Sequence, residues 1–97
     1  MEKLVRDRIP TIMRESGVVA DVRHVHNAEL LPWLLRKLHE ETDELNESPS
    51  LDECADVFEV LCAIGRQLGY SVEDIACAAD SKRKARGAFD DGCILNK

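Results

Sequence analysis

Carboxylates occupy positions on the apolar faces of two successive helices, and this constrains the chain more than anything else in it. Leu31, Leu34, Leu38 and Leu45 recur at intervals of three, four and seven, which sets them along one side of a helix. Glu41 falls inside that stripe, three after Leu38 and four before Leu45. In the next helical stretch Glu53, Asp56, Val57, Val60 and Ile64 share a face. From Cys54 to Ile64 that stretch is apolar around most of its circumference, the mark of a central helix. A carboxylate on such a face costs several kcal/mol unless it is paired or metal-bound.

The segment between the two stripes contains Asn46, Ser48, Pro49 and Ser50, a good turn. Helices joined by so short a turn run antiparallel, so Glu40-Glu41-x-x-Glu44 can face Glu53-x-x-Asp56. Converging carboxylates repel unless something positive sits between them. The economical solution is a hard divalent cation, Mg²⁺ or Mn²⁺, held by oxygen ligands. The plain alternative is a solvated acidic helix face.

Charge is unevenly distributed. Residues 40–59 hold nine of the 19 acidic residues and no Lys or Arg, while residues 82–86 read Lys-Arg-Lys-Ala-Arg. A net charge of −6 argues against a nonspecific binder of nucleic-acid polymers or anionic membranes. An acidic centre and a separate basic strip suit the metal complex of a polyphosphate. No run approaches the length of a membrane span, and the first residues lack a signal peptide's apolar stretch. Cys54, Cys62, Cys77 and Cys93 form no C-x-x-C pair and read as thiols of a cytoplasmic protein.

Ninety-seven residues make one domain, 1–97, with a single core. Pro10 suits the first turn of a short helix stopped at Gly17, and Val18–Val25 alternates partly, as an extended segment would. The first long helix begins at Asn27 or, because of Pro32, near Leu30, and runs to about Glu47. Ser50-Leu-Asp-Glu53 is a capping box opening a second helix that ends at Gly69. Ser71 opens a third, to about Arg86, with Gly87 as its stop. The expected fold is all-α: an antiparallel bundle of three main helices plus a short N-terminal one, completed by oligomerisation.

The spacing Glu40-Glu41-x-x-Glu44 … Glu53-x-x-Asp56 resembles the E-E-x-x-E … E-x-x-D signature of the all-α NTP pyrophosphohydrolases. That superfamily includes the MazG-like enzymes, phosphoribosyl-ATP pyrophosphohydrolase and the dimeric dUTPases. Lys3-Leu-Val-Arg-Asp7 with Ile9-Pro10, and Lys82-x-x-x-Arg86-Gly87-x-Phe89, resemble the two ends of a small phosphoribosyl-ATP pyrophosphohydrolase-like branch. The resemblance implies Mg²⁺-dependent hydrolysis between the α and β phosphates of a nucleotide, releasing a monophosphate and pyrophosphate. It implies Glu41, Glu44, Glu53 and Asp56 as metal ligands, and a homodimer or homotetramer that completes the site. The chain departs from the pattern in its short eight-residue spacer and in the tail Asp90-Asp91-Gly92-Cys93.

On this reading Glu40 or Glu44 accepts the proton of the attacking water. Glu40 alternatively binds a second metal or is simply solvated. Lys82 and Arg86, four apart, are expected to hold phosphates, with Lys3 and Arg6 as weaker substrate contacts. A basic helix end also favours the macrodipole without any ligand. His24, His26 and His39 read as surface residues and Trp33 as core or interface. Two alternatives stand beside a house-cleaning pyrophosphohydrolase. One is phosphoribosyl-ATP hydrolysis in histidine biosynthesis; the other is a non-catalytic helical metal-binding or interaction module.

Overall fold

The computed structural model describes residues 2–96. Among the described residues four helices form, α1 (Ile9–Glu15), α2 (Leu30–Glu47), α3 (Leu51–Gln67) and α4 (Val72–Arg86), with a 3₁₀ turn, Asn27–Glu29, leading into α2. No strand occurs among the described residues; Val18–Val25 crosses without ladder partners. The helix over α2 starts at Leu30, so Pro32 falls in its first turn, where a missing N–H leaves no bond unmade. Asn27 has φ 53° and opens the 3₁₀ turn rather than capping α2.

The other boundaries follow local chemistry. Ser71 and Asp74 form a reciprocal capping box at the start of α4, each side chain taking the other's backbone N–H at 3.1 and 2.9 Å. At α3 only half the expected box closes: Ser50 Oγ accepts from Glu53 N–H at 3.1 Å. The Glu53 carboxylate does not return the bond, because it lies with Glu41 and Asp56 instead. The α3 helix ends in a left-handed glycine, Gly69 (φ 88°), with Tyr70 N–H to Gly65 O at 2.8 Å and Gly69 N–H to Arg66 O at 3.1 Å. Gly17 closes α1 in the same way.

The inward stripes meet as the periodicity requires. Helices α2 and α3 pack against each other, burying Leu34, Val60 and Ile64, with Leu4, Leu30, Leu31, Leu38 and Ala63 around them. Leu4 brings the N-terminal segment onto this core. Helix α4 packs on α3 where Ile75 presses against Gly65; a Cβ there would lie 2.6 Å from Ile75 Cδ1.

This core is small for the chain. The radius of gyration is 16.9 Å, against about 13 Å for a compact chain of this length. The accessible surface is 8391 Å², against about 5,600 Å² expected for a compact monomer of this mass. Part of the excess is a second apolar stripe on α3 and its C-cap, Leu51, Cys54, Phe58, Leu61 and Leu68, spaced three, four, three and seven and exposed throughout.

Candidate metal centre

Helix α2 delivers Glu40, Glu41 and Glu44 from its C-terminal half, and α3 delivers Glu53 and Asp56 from its first two turns. The carboxylates form two groups that share Glu41. Oxygens of Glu40, Glu41 and Glu44 lie within 4.8 Å of one another, as do oxygens of Glu41, Glu53 and Asp56. The spacing-based expectation that the two acidic patches converge therefore holds.

Glu41 is the hinge of this arrangement. It is 7% exposed, the only buried charged residue among those described. Its Oε1 meets Lys37 Nζ at 3.2 Å, while its Oε2 is shielded from solvent and has no partner. Glu53 Oε2 is likewise shielded and unpartnered, although the residue as a whole is half-buried. Buried carboxylate oxygens without donors are uncommon, and each needs a reason. Glu44 sits exposed at the rim.

Three cations enter the cluster, and only two of them were candidates from sequence. Arg6 Nη2 contacts Asp56 Oδ1 at 2.7 Å, and Lys3 Nζ lies 3.7 Å from Glu40. Lys37, 14% exposed, bridges Glu40 at 3.3 Å and Glu41 at 3.2 Å. Lys37 is not among the sequence candidates, yet its spacing of three and four residues ahead of Glu40 and Glu41 is a readable signal. Five carboxylates meet three cations, leaving two negative charges uncompensated.

Proton affinities report the same crowding. The Glu44 carboxyl is held above its ordinary range, first by the neighbouring charge of Glu41, then by desolvation and by the charges of Glu53 and Glu40. Desolvation, followed by the charges of Asp56 and Glu41, raises that of Glu53. Burial works against the charge on Lys37, but its hydrogen bonds to Glu41 and Glu40 prevail and its pKa is raised.

The residues present fit a hard divalent cation. The donor set is all oxygen, two of the oxygens are buried without partners, and the uncompensated charge matches the ion. Glu41, Glu53 and Asp56 would hold it, with Glu44 at the rim.

The basic strip of α4 is engaged differently. Arg83 and Lys84 pair with Asp80 at 3.3 and 3.0 Å. Lys82 lines a shallow depression with Gly69, Tyr70, Ile75 and Ala79. Among the described residues, neither Lys82 nor Arg86 forms an ion pair with the five carboxylates. Two guanidinium groups lie over the Trp33 ring, Arg23 at 5.6 Å and Arg36 at 4.7 Å from its centre. His24 and His26 stack on each other at 6.4 Å.

Compared with known proteins, the chain matches no family model, no curated protein and no solved structure. Among the described residues, no helix is long and apolar enough to cross a membrane.

Proposed function

We propose that the protein is a divalent-cation-dependent nucleotide pyrophosphohydrolase, with Mg²⁺ or Mn²⁺ as the ion. The observation that carries this reading is the pair of carboxylate groups joined at Glu41, with the shielded, unpartnered oxygens of Glu41 and Glu53 between α2 and α3. The similarity of Glu40-Glu41-x-x-Glu44 … Glu53-x-x-Asp56 to the all-α NTP pyrophosphohydrolase signature supplies the reaction class. A divalent cation bound by these residues neutralises phosphate charge and lowers the pKa of a coordinated water.

The chain's own groups have distinct tasks. Glu44 is the better proton acceptor of the two sequence candidates. Its affinity for protons is raised and its side chain is exposed, whereas Glu40 is engaged by Lys3 and Lys37. Lys37 keeps Glu40 and Glu41 in register along α2. Lys82 and Arg86 bind phosphates in this scheme from the α4 of a second copy. The exposed α3 stripe and the excess surface support such an assembly, in which α2 and α3 are an antiparallel pair within a larger bundle.

A second reading has an observation of its own. The ion pairs of Lys3, Arg6 and Lys37 neutralise most of the cluster, as a structural network in a non-catalytic interaction module would. Incubating the protein with a panel of nucleoside triphosphates and phosphoribosyl-ATP in Mg²⁺ separates the two. The enzyme gives a monophosphate and pyrophosphate, and Glu41→Gln abolishes turnover. A diphosphate with orthophosphate, or full activity in Glu41→Gln, contradicts the mechanism, and no turnover of any nucleotide leaves the module.

A further inference from the structure

Residues 2–6 lie against the acidic centre and make two contacts that do not depend on it, an exposed ion pair and a core contact. The Glu2 carboxylate accepts from Arg23 Nε at 2.8 Å and Nη2 at 3.1 Å, and Arg23 lies over Trp33 of α2. Leu4 packs on the core formed by Leu34, Val60 and Ile64. From this anchored segment Lys3 reaches Glu40 and Arg6 reaches Asp56. The Arg6 and Asp56 side chains remain 55% and 37% exposed, so water competes for both ends of the pair. Yet Asp56 belongs to the same group of oxygens as Glu41 and Glu53, whose shielded oxygens lack any donor.

We propose that Arg6 is an exchangeable counter-ion of this centre. It neutralises Asp56 while no cation is bound, yields Asp56 to a divalent cation, and then donates its guanidinium N–H groups to the phosphates of a metal-bound diphosphate. This rests on the reading of Glu41, Glu53 and Asp56 as a cation site. A guanidinium fork matches carboxylate and phosphate equally, so the exchange leaves no charged group without a partner. Leu4, packed on the core, keeps the backbone in place, so release of Arg6 needs only side-chain movement.

The exchange makes two predictions of opposite sign for one substitution. Mn²⁺ alone is titrated calorimetrically into wild type, Arg6→Gln and Arg8→Gln, and imidodiphosphate is then titrated at saturating Mn²⁺. Arg8 carries the same charge two residues on and has no ion-pair partner among the described residues. Arg6→Gln, relieved of the competitor, binds Mn²⁺ about two- to five-fold more tightly. It binds imidodiphosphate about ten-fold more weakly, having lost a charge-assisted donor. Arg8→Gln matches wild type in both. Arg6→Lys keeps the charge without the fork, so it retains wild-type Mn²⁺ affinity and still loses imidodiphosphate. Equal or weaker Mn²⁺ binding by Arg6→Gln overturns the exchange and makes Arg6 a residue that orients Asp56. Unchanged imidodiphosphate binding overturns the second half. A wild-type protein that binds no Mn²⁺ removes the cation site itself, and the exchange with it.

Discussion

Glu41→Gln tests the centre where it is most exposed to refutation. The substitution keeps the side chain's shape and removes the charge from the one buried carboxylate. With about 0.7 kcal/mol of unfolding enthalpy per residue, 97 residues give about 68 kcal/mol, so 1 kcal/mol of stability moves the melting temperature by about 5 °C. Free Mg²⁺ at about 100 times its dissociation constant stabilises a native-state site by about 2.7 kcal/mol, or about 13 °C. Wild type is expected to show that shift and Glu41→Gln to lose it. In EDTA the order reverses. The charge of Glu41 then crowds Glu44 and Glu53, and removing it, with Lys37 still paired to Glu40, raises stability by about 1 kcal/mol, or about 5 °C. Differential scanning fluorimetry at fixed protein concentration, with Mg²⁺ and with EDTA, reads both. A Glu41→Gln variant that keeps the Mg²⁺ shift would falsify the cation site. A variant several degrees less stable than wild type in EDTA would show that Glu41 is held for its ion pair with Lys37 rather than for a metal.

Two further outcomes follow from other parts of the molecule. Glu44 and Glu53 have carboxyls raised above the ordinary 4.5, so the native state binds more protons than the unfolded chain between that value and their raised ones. Their contribution to metal-free stability is therefore present at the acid end of that window and lost as pH rises through it. The melting temperature of wild type should fall relative to Glu44→Gln/Glu53→Gln across the window and then run parallel, and a pH-independent difference would contradict the crowding. On α3, Phe58→Glu places a charge in the centre of the exposed stripe. Sedimentation should show a dimer or larger assembly for wild type at micromolar concentration and a smaller species for Phe58→Glu; a wild-type monomer that turns over nucleotide would remove the shared-site arrangement.

How far the sequence reached depended on the range of each interaction. Periodicity placed Leu34, Glu41, Val60 and Ile64 inward, since a helix converts spacing into direction without reference to the rest of the chain. Caps at Ser71 and glycines at 17 and 69 marked boundaries for the same reason. The half-closed box at Ser50 shows where local rules yield. Glu53 has two possible duties, and its position opposite Glu41 decides between them, which no four-residue pattern contains. Arg6 and Asp56 are separated by fifty residues, so their pairing was beyond any reading by spacing. Lys37 was within reach, because three and four residues separate it from the acids it holds.

The cations explain how the chain can carry these carboxylates so close together. Five carboxylates converging between two helices would force those helices apart, and the core of Leu34, Val60 and Ile64 is too small to resist much strain. Lys37 supplies a fixed counter-charge: it is nearly buried, sits on the same helix as its partners, and has nowhere else to go. Arg6 and Lys3 supply a removable one, exposed and carried by a separate segment. A structural network would gain nothing from leaving Glu41 Oε2 and Glu53 Oε2 without donors, since each orphaned oxygen costs desolvation energy. A site meant to admit a cation has a use for both features. On the proposed reading the orphaned oxygens are the ligands, and the exposed Arg6 guanidinium is the charge that the cation replaces. The proposed division between fixed Lys37 and removable Arg6 would distinguish a cation site from an ion-pair network, and the opposite responses of Arg6→Gln to Mn²⁺ and to imidodiphosphate are its measurable consequence.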